Sequence, residues 1–133
     1  MTLSYDALLA LAHGLLAGVP SVSFGDDLPR RKETHARRVH AAHLPAEEPV
    51  VVLYDVTGFG TGDEGYLVTP ERLCWHDFAQ PPQMLLWSDV RSISLLGDKL
   101  HVNEMVIPVG GTGAGASASL FFGMASASTG KPR

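Results

Sequence analysis

A chain of 133 residues, 45% apolar and 18% charged, has the size and composition of one globular domain that can bury a core without metal or disulfide support, which excludes an intrinsically disordered chain. Its one cysteine, Cys74, excludes an internal disulfide and favours a reducing, cytoplasmic setting. A net charge of −4 gives no whole-molecule attraction to nucleic acid or anionic membrane, so no nucleic-acid partner is expected.

The first predicted element is an amphipathic helix over Leu3–Leu16. Leu8, Leu11, Ala12 and Leu15 follow the spacing of one buried helical face, Thr2 or Ser4 can cap it, and Gly18 and Pro20 end it. The run Leu8–Ala17 has the apolarity of a secretory signal, but no positive start precedes it and Asp6 does, so a signal peptide is not expected. Pro20–Pro29 reads as a connector, with Asp26-Asp27 placed to cap a second helix over about Pro29–Leu44. That helix carries five of the ten Lys/Arg residues: Arg30, Arg31, Lys32, Arg37 and Arg38. The arginines share one broad face, and Ala36, Val39, His40 and His43 share the other. These five cations are the candidate partner-binding residues, with Arg37 and Arg38 expected to face outward toward an acidic protein or a second copy of the chain. Pro45, Pro49 and Glu47-Glu48 then break the pattern, closing an N-terminal helical extension over 1–48.

Residues 49–112 are predicted to form the β part of the domain: short antiparallel strands including Val50–Tyr54, Gly65–Thr69, Arg72–His76 and Met105–Ile107. Turns are the most specific signals. Thr69-Pro70-Glu71-Arg72 places proline where its fixed φ fits, Gly97-Asp98 suits a two-residue hairpin, and Asn103-Glu104 does the same work. In Arg91–Leu95, Ile93 and Leu95 alternate inward with serines outward. The expected fold class is mainly β with added helices (α+β), a strongly bent antiparallel sheet or small barrel preceded by two helices. Trp75 and Trp87 are expected in adjacent strands, both buried. Residues 113–133 are small and uncharged until Lys131, and read as a poor helix or a flexible tail. The uncharged stretch Met105–Gly130 is long enough to cross a bilayer, but its Gly, Ser and Pro content argues against a membrane span.

Four groupings invite a chemical reading. Gly60–Gly65 matches G-x-G-x-x-G, but a strand rather than a helix follows, and Asp63 and Glu64 would repel phosphates, so a dinucleotide site is not expected. Cys74 and His76 share one face of a strand and offer a nucleophile and base, while Asp77 points the other way and a buried core role for the thiol is the simpler reading. His40 and His43 stand at i, i+3 and could share an ion, but a site needs further ligands, so no metal or cofactor is expected. The carboxylates are scattered, without a pair spaced for acid–base work.

The stretch Leu53-Tyr54-Asp55-Val56-Thr57-Gly58-Phe59-Gly60, followed by Gly65–Trp75 with its G-x-L-x-T-x-x-R-L-x-W pattern and by Trp87-Ser88-Asp89-Val90, resembles bacterial PH-like domains of the GRAM-like type. The resemblance covers about residues 49–108. It implies a bent antiparallel sheet closed by a C-terminal helix, here Ala114–Ser126, and a binding or docking role rather than catalysis. Lipid-binding members use Lys/Arg around the first hairpin, whereas Thr57–Gly65 carries Asp63 and Glu64, so phosphoinositide binding there is not implied. The functional expectation is a soluble, non-catalytic binding or assembly module acting on a protein partner or on itself. The alternatives are a small enzyme or metal protein using Cys74/His76 or His40/His43, and a lipid-surface binder.

Overall fold

The computed structural model describes residues 4–55, 64–77, 80–97, 99–109 and 113–128. Their architecture is α+β, with two antiparallel sheets and three helices. Helix α1 (Tyr5–Leu16) starts at Ser4, whose hydroxyl accepts the Ala7 N–H, and buries Leu8, Leu9, Ala12 and Leu16. The buried stripe is thus rotated slightly from the expected one, leaving Leu11 and Leu15 at its margin.

The expected connector holds a strand, β1 (Val22–Phe24), which pairs with β2 (Val52–Asp55). Asp26 and Asp27 do not cap the second helix: Asp26 meets the His13 ring at 3.1 Å, and Asp27 accepts the Phe24 N–H. Helix α2 (Arg30–His40) begins instead after Pro29, whose extended backbone lacks a side-chain cap, and ends at His40, before His43.

Strands β3 (Gly65–Val68), β4 (Arg72–His76) and β5 (Gln83–Leu86) complete one sheet in the order β1-β2-β3-β4-β5. The Gly60–Gly65 motif therefore leads into a strand, and residues 56–63 of that loop lie outside the described residues. The Thr69–Arg72 turn forms as expected, with the Thr69 hydroxyl accepting the Glu71 and Arg72 N–H groups. After β5 the chain breaks into a 3₁₀ turn, Trp87–Asp89. Trp87 is therefore not in a strand beside Trp75, although both side chains are buried; its indole N–H donates to the Thr69 carbonyl at 2.9 Å.

The second sheet is β6 (Ile93–Leu96), β7 (Lys99–Val102) and β8 (Met105–Ile107). Gly97 (φ 67°) and Asn103 (φ 58°) take the left-handed conformation that their hairpins require; Asp98 lies outside the described residues. Leu95 shares the inward face of Ile93, opposite buried Leu100, yet remains 42% exposed. The two sheets do not close into a barrel: β5 and β6 are not neighbours, since the 3₁₀ turn redirects the chain between them.

Helix α3 (Ala114–Ser128) forms despite weak intrinsic propensity. Leu120, Phe121 and Met124 are buried, and Phe121 packs its ring against Tyr66 (4.8 Å) and Trp87 (5.5 Å). Tyr66 and Ser117 share a buried hydrogen bond of 2.7 Å. Gly123 lets α1 come close, for a Cβ there would stand 2.8 Å from Leu11. Tertiary burial supplies what the small residues cannot. No helix among the described residues is long and apolar enough to cross a membrane.

Candidate functional site

One rung of the large sheet decides where a surface is left open. Ser23, Leu53, Leu67, Cys74 and Met84 are register partners across its five strands, so their side chains share a face. Helix α2 covers the middle of that rung: Ala36 and Ala41 pack on Leu53, Leu67 and Cys74 in a core of their own, separate from the larger core under α1 and α3. Because α2 stops at His40, the β5 end stays uncovered. Met84 is 52% exposed and Leu86 is 38% exposed, both on this face.

Between the end of α2 and the start of β5 lies a pocket of about 340 Å³. Ala41, Ala42, Leu44, Pro81, Pro82 and Met84 give it apolar walls, with His40, His43, Cys74 and Gln83 as its heteroatom-bearing members. Two expected chemistries are altered by this setting. The Cys74 thiol is buried, and burial pushes its pKa up to about 12, with the Arg72 charge acting to lower it; it stays protonated at neutral pH, which is the wrong state for a nucleophile. His76 lies two residues along β4, and its ring meets that of His40 edge-on at 6.2 Å. His40 is buried at the last position of α2, whereas His43 is exposed beyond the helix end, so the two do not share a helix face. Among the described residues no three His, Cys, Asp or Glu side chains gather as a metal site.

The five basic residues of α2 are divided. Arg37 does not face outward: it pairs with Glu33 at 2.9 Å and donates to the carbonyls of Glu48 at 2.6 Å and Pro45 at 3.3 Å. One turn of helix and the following connector thus use its charge and planar donors. Lys32 donates to the Ser23 hydroxyl, and Arg38 meets the His35 ring. Arg30, Arg31 and Arg38 are exposed. The residues that sequence reasoning passed over are Pro82, Met84 and Leu86. The one signal for them was Gln83-Met84-Leu85-Leu86, an uncharged apolar run that follows Pro81-Pro82.

Comparison with protein-family models, with curated proteins and with solved structures finds no match to this chain.

Proposed function

We propose that the protein is a non-catalytic binding module of PH-like type that docks a polypeptide on the uncovered side of β4 and β5. The observation that carries this reading is the pocket of about 340 Å³ lying directly beside exposed Met84 and Leu86 at an open sheet edge. An apolar pocket beside unpaired strand backbone suits a side chain and the extended chain that bears it. The chemistry of the site agrees, since its thiol is buried and protonated. For the PH-like part, the support is two antiparallel meanders, β2 to β5 and β6 to β8, followed by α3 packed against the core, as the sequence resemblance would have it.

The test is site-specific photo-cross-linking. A benzophenone amino acid placed at Met84 is expected to capture a polypeptide on irradiation, and one placed at exposed Ser119 on α3 is not. Equal capture at both positions, or none at Met84, would remove the reading.

A further inference from the structure

The open edge of β5 carries a hydrogen-bonding pattern that complements itself. The bond from the Trp87 N–H to the Glu71 carbonyl, 3.1 Å, fixes the alternation along β4 and β5. Glu71 with Trp87, Leu73 with Leu85 and Trp75 with Gln83 exchange bonds, whereas Arg72 with Leu86 and Cys74 with Met84 face one another without them. The N–H and C=O of Met84 and the N–H of Leu86 therefore point away from β4. The same alternation turns the Pro82 carbonyl outward. The Leu86 carbonyl is already engaged, because Leu86 is the N-cap of the 3₁₀ turn. At the opposite edge the outward groups of Phe24 are met by its own turn: Phe24 N–H donates to the Asp27 carboxylate at 3.3 Å, and Asp27 N–H donates back to the Phe24 carbonyl at 3.0 Å. No described residue does this for β5.

We propose that this edge pairs with the same edge of a second copy, antiparallel about a twofold axis beside Met84, so that two five-stranded sheets become one. The proposal deepens the polypeptide-docking reading above and rests on it. Met84 stands opposite the second copy's Met84, and Leu86 opposite the second copy's Pro82. Met84 N–H donates to the second copy's Met84 carbonyl, Leu86 N–H donates to the second copy's Pro82 carbonyl, and the symmetry repeats both bonds. The N–H that proline lacks is the one that would have faced the Leu86 carbonyl, which the 3₁₀ turn already occupies. Donors and acceptors match with none left over. A slip of two residues, placing Met84 opposite Leu86, aims the Met84 N–H at that engaged carbonyl instead.

Side chains agree with this register. Opposed residues of an antiparallel pair lie on one face, so Leu86 of each copy comes down beside the other's Pro82, at the mouth of the pocket that Pro81, Pro82 and Met84 line. Exposed Met84 meets its own counterpart. Gln83–Leu86 contains no charge, the usual device that keeps strand edges apart.

Leu86→Pro tests the pairing in the full chain. Leu86 has φ −68°, which suits proline, and its N–H serves no bond within one copy. Sedimentation equilibrium from micromolar to millimolar concentration is expected to show a wild-type dimer, weakened about tenfold or more by Leu86→Pro. Met84→Lys, which places a charge on the edge without touching the backbone, is expected to weaken it as well and decides the matter if Leu86→Pro fails to fold. In the wild type, the Met84 and Leu86 amide protons are expected to exchange more slowly as concentration rises. A protein that stays monomeric throughout overturns the proposal, and capture of a different polypeptide at Met84 would then leave the docking reading standing. A dimer that survives the folded variants at wild-type strength also overturns it, since its interface lies elsewhere.

Discussion

Glu48 and Arg72 close on one another in a two-pronged ion pair, Nε to Oε2 at 2.8 Å and Nη2 to Oε1 at 2.9 Å. Glu48 is buried in the connector after α2, Arg72 opens β4, and the Thr69 hydroxyl donates to the same carboxylate. The pair thus fastens the helical part of the chain to the turn that organises β3, β4 and the indole of Trp87. Removing the cation alone strands a buried carboxylate, so Arg72→Met is expected to cost about 3 kcal/mol in urea unfolding, with part recovered in the Arg72→Met/Glu48→Gln double variant. A loss below about 1 kcal/mol would mean that the pair behaves like a solvated surface contact.

Asn103 is a second fastening, and its two contributions are separable. Its left-handed backbone makes the β7–β8 turn, while its side chain accepts the N–H groups of Arg91 (2.7 Å) and Ser92 (3.2 Å) and donates to the Asp89 carbonyl (3.2 Å). Asn103→Gly keeps the turn and deletes the staple, with an expected cost of about 1–2 kcal/mol. Asn103→Ala adds about 1 kcal/mol of left-handed strain. If the two variants unfold at the same urea concentration, the turn backbone is not what asparagine was chosen for.

These fastenings explain how much was legible in the sequence. Turn residues act locally, so Thr69-Pro70, Gly97 and Asn103 announced their hairpins, and the helix spacing announced α1 and α2. Glu48 and Arg72 lie far apart in the chain, and nothing local marks Glu48 as more than one of two acidic residues between prolines. Val22-Ser23-Phe24 is too short to show alternation and was hidden by the turn residues around it. Strand β5 was hidden for another reason: Gln83-Met84-Leu85-Leu86 has no β-branched residue, and two prolines precede it. The pocket was unreadable because it exists only where α2 stops short at His40, and the residue that follows, Ala41, is a good helix former that gives no local stop signal.

Cys74 makes stability depend on alkaline pH. Burial raises its pKa from 9.0 in a free side chain to about 12 in the fold. Between those values the unfolded chain releases the thiol proton and the native protein keeps it, so the native state binds more protons and stability falls as pH rises. The contribution is fully present below the unfolded value and lost through the folded one. Cys74→Ala is expected to lose less stability than the wild type between pH 8 and about 10.5, as measured by urea unfolding at each pH. The native thiol is also expected to resist iodoacetamide at pH 8 until denaturant is added. Rapid labelling of the folded protein would restore the nucleophile reading.

The basic helix gives the last test, because its cations divide into internal and external sets. Arg37 donates to the Glu48 and Pro45 carbonyls and pairs with Glu33, so Arg37→Met is expected to cost about 1–3 kcal/mol, mainly by leaving the part-buried Glu48 carbonyl and Glu33 carboxylate without this donor. Arg30 and Arg31 lie exposed in the first turn. Positive charge is mildly unfavourable there, since the helix N-terminus is itself positive, and reversal of exposed charges usually changes stability by no more than about 0.5 kcal/mol. The Arg30→Glu/Arg31→Glu double variant is therefore expected to melt at or slightly above the wild-type temperature in differential scanning calorimetry. If these residues hold an acidic partner, the same variant loses a salt-sensitive association in a pull-down, while Arg37→Met retains it whenever it is folded. A variant that melts normally and keeps every partner would assign Arg30 and Arg31 to a solvated face. The docking surface would then be confined to the β5 side of the sheet.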